Sequence, residues 1–326
     1  GITFALTEKV PTDKIPLQTM GYGRSESADG RVFQWNFPLL GTYWSAADIL
    51  IQHTAKISGG LKGKKITLVY HDSPYGKEPI PVLQDHAAKH GYTFEAIPVT
   101  HPGVEQKAAW LKIRQTRPDF VFLWGWGVMN STAIKEAVAV GYPRDKMYGV
   151  WWAAAEPDVR PAGDDAKGYQ GLALHPSGAD YAVHKDILKY VYDAGKGAGK
   201  REEVGEVLYN RGVIDAMLKL EAVRTAQKLT GKTVVNGADV RQGFENLDLS
   251  EARIKELGFE GLVTPLKVSC ADHEGARKAR IHQWDGQKWV FVSDWIEADT
   301  KYLRPKMEAA AAAYAKEKGI TPASCS

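Results

Sequence analysis

The sequence predicts an α/β protein built on an open parallel sheet and divided into two domains. From Lys64 onward, short apolar runs alternate with segments of helical period, the pattern of strands joined by right-handed crossover helices. Three of these runs lead into aromatic residues. Residues 65–71 lead to Tyr75, residues 120–123 to Trp124 and Trp126, and residues 147–150 to Trp151 and Trp152. In an open parallel sheet the carboxyl ends of the strands form the crevice where ligands sit. Rings gathered at that edge suit a pocket for a small, partly apolar molecule. The length of 326 residues exceeds one small core and suits two domains.

Residues 1–20 read as the end of a helix and a short strand at 15–19. The loop Gly21-Tyr22-Gly23-Arg24 follows, with two glycines that let backbone approach a ligand closely. Residues 42–57 read as a helix with Ile49, Leu50 and His53 on one side, and the flexible run 59–63 as a crossing between domains. Residues 80–90 are helical, with prolines only in the first turn. A strand at 94–99 precedes a helix at 104–116, apolar at Val104, Ala108, Leu111 and Ile113. After the strand at 120–123, Asn130 or Ser131 caps a helix running to Val140. Strands at 147–150 and 171–174 complete the run, and residues 175–178 form a second crossing.

Beyond that crossing the chain is mainly helical. Ile187, Leu188 and Val191 mark one helix face, and a longer helix is expected to bury Tyr209, Val213, Ala216, Met217, Leu220 and Val223. Residues 281–284 and 288–291 flank Asp285-Gly286, a hairpin signal. The alanine-rich tail at 301–318 is helical, and there is no internal repeat.

The balance of 42 basic against 39 acidic residues leaves no basic footprint for nucleic acid. Apolar content of 44% and charged content of 25% are those of an ordinary globular protein, and no stretch approaches the roughly 18 apolar residues of a membrane span. The first residues carry no signal-peptide pattern, an uninformative absence, since a mature or truncated chain would also lack one. The two cysteines, Cys270 and Cys325, read either as two unrelated thiols or as a disulfide tethering the end of the chain. The cysteines alone favour the bond, which belongs to an oxidising compartment.

No catalytic constellation, cofactor or metal site is predicted. His71-Asp72-Ser73 reads as a polar turn after a strand. There is no G-x-S-x-G elbow, Walker A loop or H-E-x-x-H helix. The nine histidines lack metal-ligand spacing, and Gly125-Trp126-Gly127 lacks the rest of a dinucleotide fingerprint. Of the ten tryptophans, Trp44, Trp110, Trp284, Trp289 and Trp295 suit cores or surface cover, whereas Trp126, Trp151 and Trp152, with Tyr75, sit just beyond sheet strands. Arg211, in Tyr209-Asn210-Arg211-Gly212 at a helix start, offers a fork suited to a carboxylate. Its alternative is a solvated arginine paired with Glu206 or Asp215.

Laid end to end, these segments resemble the periplasmic solute-binding proteins of ABC importers, in the branched-chain amino acid (Leu/Ile/Val-binding) family. The resemblance rests on the strand and loop at 15–23, the turn His71-Asp72-Ser73-Pro74-Tyr75-Gly76, the strand at 119–127, Ala139-Val140-Gly141-Tyr142-Pro143, and residues 291–295. It implies a type I periplasmic binding fold: two α/β lobes joined by three crossing strands, with ligand in the cleft. The first lobe would comprise 1–60 and 178–282, its N-terminal part missing from this chain, and the second 61–177 and 283–326. It also implies a monomeric, non-catalytic, exported protein that binds a small molecule and delivers it to an ABC permease.

Two departures bear on the ligand. Amino-acid binders of the family place an acidic residue after the strand ending at Val150, to meet the ammonium group, and this chain has Trp151-Trp152 there. The family's hydroxyl-bearing loop is here Gly21-Tyr22-Gly23. The expected ligand is therefore a carboxylate or amino-acid-like molecule with an apolar or aromatic body, touching Gly21, Tyr22, Gly23, Tyr75, Trp126, Trp151, Trp152, Asn210 and Arg211. The rival readings are a ligand-sensing regulatory domain of the same fold and an α/β hydrolase using His71-Asp72-Ser73.

Overall fold

A computed structural model describes residues 1–325. The chain forms two compact units. One comprises Gly1, Tyr43–Leu174 and Lys278–Asp299, and the other Ile2–Thr42, His175–Arg277 and the segment from Thr300 onward. Strands are numbered along the chain: β1 Leu17–Gln18, β2 Asn36–Phe37, β3 Lys65–His71, β4 Thr93–Val99, β5 Phe120–Trp124, β6 Met147–Gly149, β7 Gln170–Ala173, β8 Asp248–Leu249, β9 Leu266–Lys267, β10 Lys278–Trp284, β11 Trp289–Phe291 and β12 Ile296–Glu297.

The first unit holds a sheet of order β11-β10-β7-β6-β5-β3-β4, with β12 added to β10. Strands β4, β3, β5, β6 and β7 run parallel, whereas β10 is antiparallel to β7 and β11 to β10. Ile66, Leu68 and Val69 of β3 and every residue of β5 are buried, because strands covered on both faces read as continuous apolar runs. The β10–β11 hairpin forms as expected, with Trp284 opposite Trp289. Asp285 Oδ1 accepts from the N–H groups of Gln287 and Lys288, each at 2.8 Å, closing the turn.

Two local expectations shift. The helix expected from 104 begins at Lys107, and Val104 and Leu111 are exposed while Trp110 and Ile113 are buried. Buried Gln106 fixes that start: it donates to the carbonyls of Gly103 (2.6 Å) and Met129 (2.8 Å) and accepts from Trp110 Nε1 (3.1 Å). The next helix, Val128–Ala139, begins before Asn130 and Ser131, so neither caps it. Gly127, at φ 57°, makes the earlier turn into the helix. Asn130 is buried instead and donates to Asp158 Oδ1 at 2.8 Å and to the Trp152 carbonyl at 3.1 Å.

From Ile2 onward the chain changes unit after Thr42, Leu174, Arg277 and Asp299, whereas the sequence divided it at 60, 177 and 282. The 59–63 segment is a helix-to-strand turn inside the first unit, where Gly63 N–H bonds the Gly91 carbonyl at 2.9 Å. The helix Tyr43–Ser58 belongs to this unit because Ile49, Leu50 and Ile51 are buried as its strands are. The tail helix Thr300–Lys318 belongs to the other unit, where Phe33 stacks on Tyr314 with ring centroids 4.8 Å apart.

In the second unit, the helix Val207–Thr230 buries Asn210, Arg211, Ile214, Met217, Leu218, Glu221 and Ala222. Of the residues expected inside, only Met217 is buried. The true stripe keeps helical spacing but carries three polar side chains, which an apolar count misplaces. Glu221 is tolerated there because Arg253 grips both its oxygens at 2.8 Å, and a paired buried charge avoids most of the desolvation cost. The segment with Ile187, Leu188 and Val191 is a short helix, Ala182–Ile187, passing into a wider turn at Leu188–Tyr192, and its buried residue is His184. Cys270 and Cys325 are bonded, with Cα atoms 5.6 Å apart. Among the described residues no helix is long and apolar enough to cross a membrane.

Candidate ligand-binding site

The nine residues expected at ligand fall into two groups, one in each unit. In the sheet unit, Tyr75 sits on the turn that leaves β3. Ser73 Oγ lies 2.9 Å from His71 Nδ1 and accepts from Gly76 N–H at 3.4 Å, capping the short helix Pro74–Lys77. Asp72 pairs with Lys77 at 2.7 Å. This is the polar turn the sequence suggested, and His71 Nε2 lies 3.3 Å from His101 Nδ1. Tyr75 Oη donates to the Gly125 carbonyl at 2.8 Å, which pins the turn to the end of β5.

The glycine of this turn is required. A Cβ at Gly76 would lie 1.9 Å from the His71 carbonyl oxygen, an overlap only a backbone shift can relieve. Gly76→Ala is expected to lower stability by about 1–3 kcal/mol and to move Tyr75. Chemical denaturation beside a ligand titration checks this, and wild-type values for both would show that the turn yields freely.

The rings beyond β5 and β6 divide by exposure. Trp126 is 49% exposed, and its ring centroid lies 6.2 Å from that of half-buried Trp152. Trp151 is only 1% exposed and stacks on Tyr43 at 5.9 Å with ring planes 18° apart. Tyr43 also lies 5.1 Å from the Tyr75 ring, so one tyrosine joins the β3 turn to the residues after β6. The sequence reading missed Tyr43, since it looks like an ordinary first residue of an amphipathic helix.

In the other unit, Gly21 and Gly23 are buried, with Tyr22 between them 39% exposed. Burial pushes the Tyr22 phenol up, and the nearby Arg211 cation opposes that shift. The loop and the start of the long helix are thus brought together. Arg211 is 4% exposed and so is not a solvated arginine, and Asp215, one of the two carboxylates the sequence offered it, pairs with Lys219. The Arg211 Nε–H donates to His175 Nε2 at 3.3 Å.

Asn210 is committed to the crossing loop. Its amide donates to the carbonyls of Gly178 (3.0 Å) and Pro176 (3.3 Å), and its Oδ1 lies 2.6 Å from His184 Nε2. Arg211 and Tyr22 are the other polar side chains of this group, the first buried and the second exposed. Sequence reasoning missed His175 and His184, because an isolated histidine carries no spacing signal. Among the described residues no group of three or more His, Cys, Asp or Glu could hold a metal ion.

Comparison with known proteins agrees with this architecture. A sequence profile described as periplasmic binding protein matches residues 1–288. A structure from the Pseudomonas fluorescens group, described as an ABC transporter permease, is 46% identical with a TM-score of 0.93, over 99% of this chain and 79% of its own. A branched-chain amino acid ABC transporter from Thermus thermophilus with bound valine is 20% identical with a TM-score of 0.74, over 90% and 75% of the two chains. A solute-binding protein from R. palustris in complex with benzoate is 18% identical with a TM-score of 0.68, over 91% and 76%. No curated protein matches the sequence.

Proposed function

Because the chain belongs to the periplasmic binding protein family, we propose that it is the solute receptor of an ABC importer for a small carboxylate with an apolar or aromatic body. Proteins of this family bind small molecules, work with an ABC permease and are exported, and they are not enzymes in general. The single observation that carries the ligand class is Arg211, a guanidinium only 4% exposed whose Nε–H is held by His175. Arg211 would meet the anionic end, since a guanidinium binds a carboxylate with two parallel bonds. In the sheet unit, the accessible ring of Trp126 beside Trp152 is of a kind suited to an apolar or aromatic body.

Valine and benzoate, the ligands of the two more distant structures, share a carboxylate and differ in the ammonium group. The residues after β6 bear on that difference. Where a family amino-acid binder sets a carboxylate, Trp151-Trp152 offers none, and a buried ammonium without an acceptor loses several kcal/mol.

Mass spectrometry of the small molecule that stays with the protein through purification tests the ligand class directly. Calorimetry with benzoate beside leucine tests the selectivity, and benzoate is expected to bind tighter by at least tenfold. Tighter binding of leucine would overturn the carboxylate-over-amino-acid reading and point to another acidic group in place of the missing one.

A further inference from the structure

We propose that His175 is a positioning residue for Arg211, a neutral imidazole that fixes the plane of the guanidinium and so sets the preference for a carboxylate over its uncharged analogue. This rests on the reading of Arg211 as the anion-binding group.

Both ring nitrogens of His175 are assigned by their partners. Nδ1 lies 3.0 Å from the Pro176 carbonyl, which can only accept, so Nδ1 carries the proton. Nε2 then holds a lone pair, and it accepts the Arg211 Nε–H at 3.3 Å. The ring is 1% exposed, and burial first, then the adjacent Arg211 charge, lower its pKa to about 3. Charging the ring would place two cations in contact and remove the acceptor.

The position in the chain adds to the argument. His175 is the first residue after the chain leaves β7 and the sheet unit, and Arg211 lies in the first turns of the helix beginning at Val207. The adjoining Pro176 and Gly178 carbonyls are held by Asn210, the neighbour of Arg211. The crossing segment and the helix start are therefore bonded at two consecutive helix positions. A guanidinium has five N–H donors in a rigid plane, so fixing Nε fixes the direction in which the remaining donors point. Glutamine offers an acceptor oxygen near the place of Nε2, whereas phenylalanine fills the volume and offers none.

The test uses the full chain with His175→Phe, His175→Gln and Arg211→Ala variants, and benzoate and benzamide as probes. Calorimetry is expected to show His175→Phe weakening benzoate binding about tenfold, the scale of one hydrogen bond to a charged group, with benzamide unchanged. His175→Gln should recover most of the loss. In wild type, nitrogen NMR should show His175 neutral as the Nδ1–H tautomer at pH 5, and slow exchange of Arg211 Nε–H that becomes fast in His175→Phe. Equal losses for both probes, or no rescue by glutamine, would reduce His175 to a packing residue. A charged His175 at pH 5, or unaltered Nε–H exchange in His175→Phe, overturns the positioning role whatever the binding data show. Unchanged benzoate affinity in Arg211→Ala, or no benzoate binding by wild type, refutes the reading of the site instead, and the exchange measurement still decides whether His175 holds the arginine.

Discussion

Replacing Arg211 with alanine is expected to weaken binding of a carboxylate ligand by about 1.5–3 kcal/mol, roughly ten- to a hundredfold. The size follows from what is removed: a charge-assisted bidentate contact made by a guanidinium that is only 4% exposed. Arg211→Lys should recover part of the loss, because an ammonium restores the charge but not the planar fork. Arg211→Ala also leaves His175 without its donor, so a melt of each variant belongs beside the titration. A loss of affinity that tracks a loss of fold would not count in favour. Arg24, the other arginine close to the glycine loop, is a poor substitute. It pairs with Glu26 at 2.6 Å and lies over the rings of Phe4, Phe33 and Tyr314. Unchanged carboxylate affinity in a folded Arg211→Ala protein would sink the assignment.

The parts of this fold legible in the sequence are those where one physical signal dominates. β5 is buried throughout and apolar without interruption, β3 is buried from Ile66 to Tyr70 with Thr67 its one polar residue there, and Asp285-Gly286 can hardly be anything but a hairpin turn. The long helix of the second unit was legible in extent but not in facing. Asn210, Arg211 and Glu221 occupy its buried stripe because each meets a partner far away in sequence: His184, His175 and Arg253. Such pairings are invisible to any periodicity of hydropathy. The same limit hid Tyr43, whose role is defined by Trp151 and Tyr75, residues distant in the chain. The unit boundary after Thr42 was obscured by Gly59-Gly60, which looks like a linker and is a turn between a helix and a strand of one core. Local chemistry showed where the aromatic edge of the sheet lies, and only the fold showed which of its rings are accessible.

The largest effect on stability is expected from the Cys270–Cys325 bond. It closes a loop of 55 residues, and in the chain-entropy model a loop of that length contributes about 4 kcal/mol by restricting the unfolded chain. The folded state does not depend on the bond alone to hold the tail. Arg304 donates to the carbonyls of Ala28 and Ala271, and Ala323 N–H bonds the Arg31 carbonyl at 2.7 Å. Reduction should therefore leave the native contacts in place and act by freeing the unfolded ensemble. Thiol titration of the denatured, unreduced protein should find almost no free thiol. The Cys270→Ser/Cys325→Ser double variant should then open more readily in the unit that holds the bond, by up to about three decades in the opening equilibrium. Hydrogen exchange across β9 and the helix Thr300–Lys318 reads that opening directly. Tryptophan fluorescence serves as an internal contrast, because of the ten tryptophans only Trp35 lies in this unit. The fluorescence transition should shift less than the exchange in the tail helix. Protection in that helix unchanged by the double substitution would show that Arg304 and the Ala323–Arg31 bond, rather than the cross-link, set the stability of the unit.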